Sequence, residues 1–169
     1  MRKILSILAL SVLPTLALAA GSHGEGHGAP AHGMPGHDMA TMSKEPSPTG
    51  KPGNPAKVTR IIELTMDDTM RFTPSDIPVN AGETVRFFIK NTGKIAHEMV
   101  IGSIADLKAH AAEMQKMPGM HHTEPNMITL APSKSGGLVW QFDQAGTVDF
   151  ACLIPGHMEA GMVGKVKVS

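Results

Sequence analysis

From Val58 to the C-terminus the chain is cut into short apolar or alternating stretches, and this constrains the fold more than any other feature. VTRIIELTM, TVRFFIKN, HEMVIG, LVWQF, TVDFAC and MVGKVKV each have strand length and strand composition. Between them stand turn formers, among them Ala81-Gly82-Glu83 and Asn91-Thr92-Gly93-Lys94. RFTPSDIPV carries Pro74 and Pro78 and reads as an edge segment, because proline cannot donate to a sheet ladder. Strands do not alternate regularly with helices, so a parallel α/β sheet is excluded. The pattern predicts an all-β antiparallel sandwich.

One helix interrupts the strands. Ser103 and Asp106 form a capping box ahead of Ile104, Leu107, Ala111 and Met114, and Pro118-Gly119 ends the run. A helix is expected over 104–116, inserted between strands and lying on the sandwich.

The N-terminal part has a different character. MRKILSILALSVLPTLALAA has the charged start, the apolar centre and the small-x-small end (Ala17-Leu18-Ala19) of an export signal, with cleavage expected after Ala19. Its apolar run is too short for a stable membrane span, and no second such run follows. Residues 20–56 are rich in Gly, Pro, His and Met and poor in branched aliphatics, so they are expected to form a disordered tail. That leaves 57–169 for a single domain. Loss of Arg2 and Lys3 with the signal turns an even balance of 15 basic and 15 acidic side chains into a slight acidic excess. A nucleic-acid partner held by charge is thereby excluded.

The chain has one cysteine. In an oxidising compartment a lone thiol is a liability unless it is buried or engaged. Cys152 is followed at equal steps by His157 and Met162, with Pro155-Gly156 as a turn and Gly161 before the methionine. A thiolate, an imidazole and a thioether on one loop make a soft site suited to copper. A trigonal copper site wants a second imidazole. His97, at the mouth of the strand HEMVIG, is the best candidate. His110 on the helix, His121 and His122 in a turn, and the tail histidines are alternatives.

These segments resemble the cupredoxins, the type 1 copper proteins that include plastocyanin, azurin and rusticyanin. The resemblance covers 57–169 and rests on FTPSDIPVNAGETVRFFIKNTGKIAHEM and FACLIPGHMEAGMVGKV. It implies a Greek-key sandwich holding one type 1 copper. His97 would be the first imidazole, Cys152 the thiolate, His157 the second imidazole and Met162 the axial thioether. The chain is more similar still to periplasmic copper-tolerance cupredoxins with a His/Met-rich N-terminal tail. Plastocyanins lack such a tail and this form of helix, and have a shorter Cys-to-His step. The resemblance thus implies a monomeric periplasmic protein that meets copper ions and a redox or copper-handling partner.

Further soft donors lie outside that loop. The tail holds His23, His27, His32, His37, Met34, Met39 and Met42. A second cluster holds Met114, Met117, Met120, His121 and His122. Both are candidates for additional labile copper, with Met114 also readable as a packing residue. Met99 and Met158 read as packing, although Met158 is a rival axial donor. Two functions compete: copper tolerance by binding or oxidising copper, and one-electron transfer between redox proteins. An oxidase is disfavoured, because there is no His-x-His pair and no second cysteine. The absence of Cys-x-x-Cys-His excludes c-type haem.

Overall fold

In the computed structural model, residues 46–116 and 123–169 are described. They form ten strands: β1 (Lys51–Pro52), β2 (Arg60–Asp67), β3 (Arg71–Thr73), β4 (Asp76–Val79), β5 (Thr84–Asn91), β6 (His97–Gly102), β7 (Met127–Leu130), β8 (Ser135–Gln141), β9 (Gly146–Ala151) and β10 (Val163–Val168). One helix, α1 (Ile104–Lys116), lies between β6 and β7. The strands make two five-stranded sheets, ordered β1-β8-β5-β2-β3 and β4-β10-β9-β6-β7. The chain passes repeatedly from one sheet to the other, the connectivity expected of a Greek-key sandwich.

The sheets are mixed rather than purely antiparallel. β2 pairs with β5 in parallel, and β10 pairs with β4 in parallel. Short apolar stretches report strand existence but not direction. Between β2 and β5 the chain visits the other sheet as β4, so it re-enters beside β2 running the same way. RFTPSDIPV, read as one edge segment, is two strands in two sheets, and Pro78 does sit on an edge strand. β1 and β7 are too short to carry a pattern and were not anticipated.

The sandwich also begins earlier than Lys57. Lys51 and Pro52 pair with Gln141 and Trp140 of β8, and Trp140 Nε1 donates to the Thr49 carbonyl at 2.7 Å. A tryptophan N–H inside a core needs an acceptor, and the segment before β1 supplies it.

Alternation along each strand sorts side chains between two apolar clusters. The main core lies between the sheets and includes Phe72, Phe87, Met99, Ile101, Phe142, Phe150, Cys152 and Met162. The other face of β6 and β9 presents Val100 and Ala151, which with Leu153 pack against Leu107 and Ala111 of α1. β6 is buried on both faces for this reason. The capping box is present: Ser103 Oγ accepts from Asp106 N (3.1 Å) and donates to Asp106 Oδ2 (2.6 Å). Ile104, the first residue of the helix, is 42% exposed.

Candidate metal centre

The pleat of three strands aims side chains at one end of the sandwich. His97 shares a face of β6 with Met99 and Ile101, Cys152 continues the inward face of Phe150, and Met162 precedes the inward Gly164 and Val166 of β10. β6 and β10 both pair with β9. Val100 and Val163 both stand opposite Ala151, so the start of β6, the end of β9 and the start of β10 lie at the same end of this sheet, with Cys152 just past β9 and Met162 just before β10. All three side chains, those of His97, Cys152 and Met162, are fully buried.

The loop after Cys152 delivers His157. It is wound by turns: His157 N donates to Ile154 O (3.0 Å), Ala160 N to Gly156 O (3.1 Å) and Gly161 N to Met158 O (2.9 Å). Gly156 and Gly161 have φ of 88° and 95°, which side chains rarely adopt. The loop closes on itself, with Met162 N donating to His157 O (3.0 Å) and Cys152 N to Met162 O (3.1 Å). Arg71 clamps its far end by donating from Nη1 to Ala160 O at 2.9 Å. Gln115 of α1 reaches it from the other side, Nε2 donating to Glu159 Oε1 at 2.8 Å.

His97, Cys152 and His157 offer ligand atoms that all lie within 4.8 Å of one another. Cys152 Sγ is 3.2 Å from His157 Nδ1. His97 Nε2 lies 3.1 Å from Asp68 Oδ1, while its buried Nδ1 has no hydrogen-bond partner. A buried nitrogen without a partner is costly in a folded protein. Here it belongs to a group with a sulfur and a second imidazole nearby, and a metal ion is the occupant that fits such a donor set. The backbone N–H of Glu98 points at the sulfur (3.4 Å). The nearly buried Glu98 carboxylate accepts from Leu153 N (2.9 Å) and Thr129 Oγ1 (3.2 Å), tying β6, β7 and the loop together.

Electrostatics follow from burial. Desolvation pushes the Cys152 thiol up to about 12. His157 is held below the ordinary imidazole value, first by burial and then by the neighbouring His97. Without metal the site thus holds a neutral thiol and, at neutral pH, a neutral His157.

Of the four residues expected as ligands, His97, Cys152 and His157 come together, and Met162 is joined to them through its backbone, its N donating to His157 O and its O accepting from Cys152 N. Met158 is separated from them. It packs with Met127 against the cluster under α1, while Met162 belongs to the main core with Cys152. Met99 is core. Met114 is half-buried on α1. His23, His27, His32, His37, Met34, Met39 and Met42 lie outside the described residues, as do Met117, Met120, His121, His122 and the N-terminal export segment. Asp68, Glu98, Asn91 and Arg71, which shape the centre, were not anticipated. Asp68 is 29 residues from the histidine it supports, with no spacing that signals it.

A two-sheet β-sandwich with a His-Cys-His group at one end, His97 and Cys152 buried and His157 half-buried, fits a type 1 copper site. The sequence profile of the copper-binding proteins of the plastocyanin/azurin family matches residues 60–169, and the chain belongs to that family. It is similar to the copper-resistant cuproprotein CopI of Rubrivivax gelatinosus, 50% identical over 165 residues, covering 98% of this chain and 94% of that protein. CopI of Vibrio cholerae is 34% identical over 171 residues, with 99% of each chain covered. Among solved structures, reduced auracyanin from Roseiflexus castenholzii matches 66% of this chain and 97% of its own, with TM-score 0.55 and 25% identity. Auracyanin B, at 21% identity and TM-score 0.59, covers 71% of this chain and 96% of its own and supports the fold alone.

Proposed function

We propose that this protein is a periplasmic cupredoxin of copper tolerance. In this reading it binds one copper through His97, Cys152, His157 and Met162, and cycles between Cu(I) and Cu(II). The observation that carries the proposal is the partnerless Nδ1 of His97, enclosed with Cys152 Sγ and His157 within 4.8 Å. The likeness to copper-resistant cuproproteins along nearly the whole chain supports the tolerance role.

Bound copper supplies a one-electron couple in a soft donor set. The chain's own residues do the rest. The Cys152 sulfur takes the Glu98 N–H, which steadies its negative charge. The two imidazoles are neutral, so one thiolate sets the ligand charge and the reduced form carries no net charge. Phe150 and Ile154, packed in the core that contains Cys152, keep water from the sulfur, and the sandwich end holds the donors rigid in either state. The export signal and the two His/Met-rich segments complete the proposal, the latter as labile capture sites that hand copper to the centre. The Gln115–Glu159 bond favours this, since it sets the C-terminal end of α1 against the ligand loop.

A second reading, one-electron transfer between redox proteins, is favoured by the half-buried His157, the one member of the His97-Cys152-His157 group that is not fully buried. Growth of a deletion strain on copper, complemented by the full chain or by a chain lacking residues 21–45, separates the two. The tolerance reading expects the full chain to restore growth and the shortened chain to restore it less well, with the visible spectrum unchanged. If the full chain restores no growth, the tolerance reading fails.

Copper uptake should be coupled to protons. The buried thiol is protonated at pH 7.5, and the thiolate is the ligand, so its proton must leave. His157, already neutral at that pH, gives none up. A Cu(II) titration of metal-free protein in weak buffer is expected to release about one proton per copper from the centre. Its affinity should fall as pH is lowered, since protons then compete for the ligands. Release near zero would contradict a thiolate ligand.

A further inference from the structure

His97 is completely buried, and its two ring nitrogens face different neighbours. Nε2 faces the carboxylate of Asp68, in the turn after β2, and the buried, partnerless Nδ1 is the nitrogen left for the group His97 forms with Cys152 and His157. A carboxylate can only accept, so the proton belongs on Nε2 and the Nδ1 lone pair is left for the metal. Asp68 does not hold this position through His97 alone. Its Oδ2 accepts the Lys94 N–H at 2.8 Å, and Oδ1 also lies 3.4 Å from the Ile95 N. Asp68 is 38% exposed and accepts backbone N–H groups, so at neutral pH it is present as a carboxylate.

The turn from Asn91 to Ile95 is shaped to let this carboxylate in. Asn91 is fully buried, donates to Ile95 O (2.8 Å) and Leu130 O (3.0 Å), and accepts from Gly93 N (2.8 Å). Gly93 lies against Asp68. A Cβ there would overlap Asp68 Oδ1 and stand 2.7 Å from its Cγ. Gly93 is thus required for room, and any side chain would push the carboxylate off the imidazole.

We propose that Asp68, admitted by Gly93, is a positioning residue that locks His97 in the Nε2-protonated form and biases the centre towards Cu(II). This rests on His97 being a copper ligand. The oxidised centre carries one more positive charge than the reduced one, so an anion on the far side of the imidazole stabilises Cu(II) more. Asp68→Asn removes the charge with little change in size. It is expected to raise the preference for Cu(I) over Cu(II) about tenfold, a shift of about 59 mV to more positive potential. Gly93→Ala should shift it in the same direction by displacing the carboxylate. Asp67→Asn is the control, because Asp67 bonds Thr69 and not His97.

The test is the midpoint potential of copper-loaded full-length protein, read with its visible spectrum. A shift in Asp68→Asn and Gly93→Ala but not in Asp67→Asn supports the proposal. A coloured Asp68→Asn protein with the potential of the control overturns it. A second measurement needs no variant: nitrogen-15 NMR of the reduced wild-type protein should show His97 protonated at Nε2, and protonation at Nδ1 would overturn the proposal. Failure of the parent reading looks different, since wild-type protein would then show no intense visible band on adding Cu(II).

Discussion

Cys152→Ser is expected to abolish the intense visible absorption of the copper-loaded protein. His157→Gly should lose it as well and recover it when imidazole is added, whereas His97→Gly should not recover. A serine hydroxyl is a hard, weakly acidic donor and gives no sulfur-to-copper charge transfer. The difference between the two histidines follows from where they sit. His157 is half-buried on a loop, so its deletion opens a position that solutes reach from solvent. His97 is 0% exposed, its Nε2 is taken by Asp68, and strand β6 and its neighbours close over it. An imidazole entering there would have to displace packed core and still find the carboxylate. Absorption titrations of the three variants with Cu(II), with and without imidazole, make the comparison. Survival of the band in Cys152→Ser would refute the thiolate assignment. Equal recovery in both glycine variants would mean that the His97 position opens to solvent more readily than its burial indicates.

The His97-Cys152-His157 group was legible in the sequence for a physical reason. Cys152, His157 and Met162 share one loop, and a loop's spacing is local information. His97 needed the further inference that a strand mouth beside a turn faces the same end, and the pleat of β6 does place it there with Met99 and Ile101. The capping box on α1 was also local, and it formed as read. What escaped was non-local. Strand direction depends on which sheet the chain re-enters, so the parallel β2–β5 and β4–β10 pairs left no mark on the alternation. Strand β1 owes its place to Trp140, 91 residues from Thr49. The supports of the centre escaped too. Asp68 reads as a turn residue and Glu98 as a polar residue in an apolar strand. Only folding brings one to an imidazole and the other to the Leu153 N–H.

Phe150→Ala should be the most destabilising replacement of those near the centre. Phe150 is fully buried on β9, on the same inward face as Cys152. Its ring meets Phe72 edge-on, with centroids 5.0 Å apart and planes at 75°. On the neighbouring strand, Gly164 is opposite Phe150 in the ladder, and a Cβ there would fall on the phenyl ring. A strand held by its backbone ladder cannot collapse into the space left by a lost ring. The full transfer and cavity cost is therefore expected, about 3–5 kcal/mol. For a domain of this size that corresponds to a fall in Tm on the order of 10–20 °C. Phe88, 46% exposed on β5, is the matched control, and Phe88→Ala should change stability by no more than about 0.5 kcal/mol. Urea unfolding of the metal-free proteins measures both. Copper-loaded Phe150→Ala should recover part of the loss, because a ligand bound only by the folded state adds its binding free energy to stability. A loss below about 1 kcal/mol in the metal-free protein would show that β9 and β10 relax into the vacancy, and the rigidity argued for the ligand end would go with it.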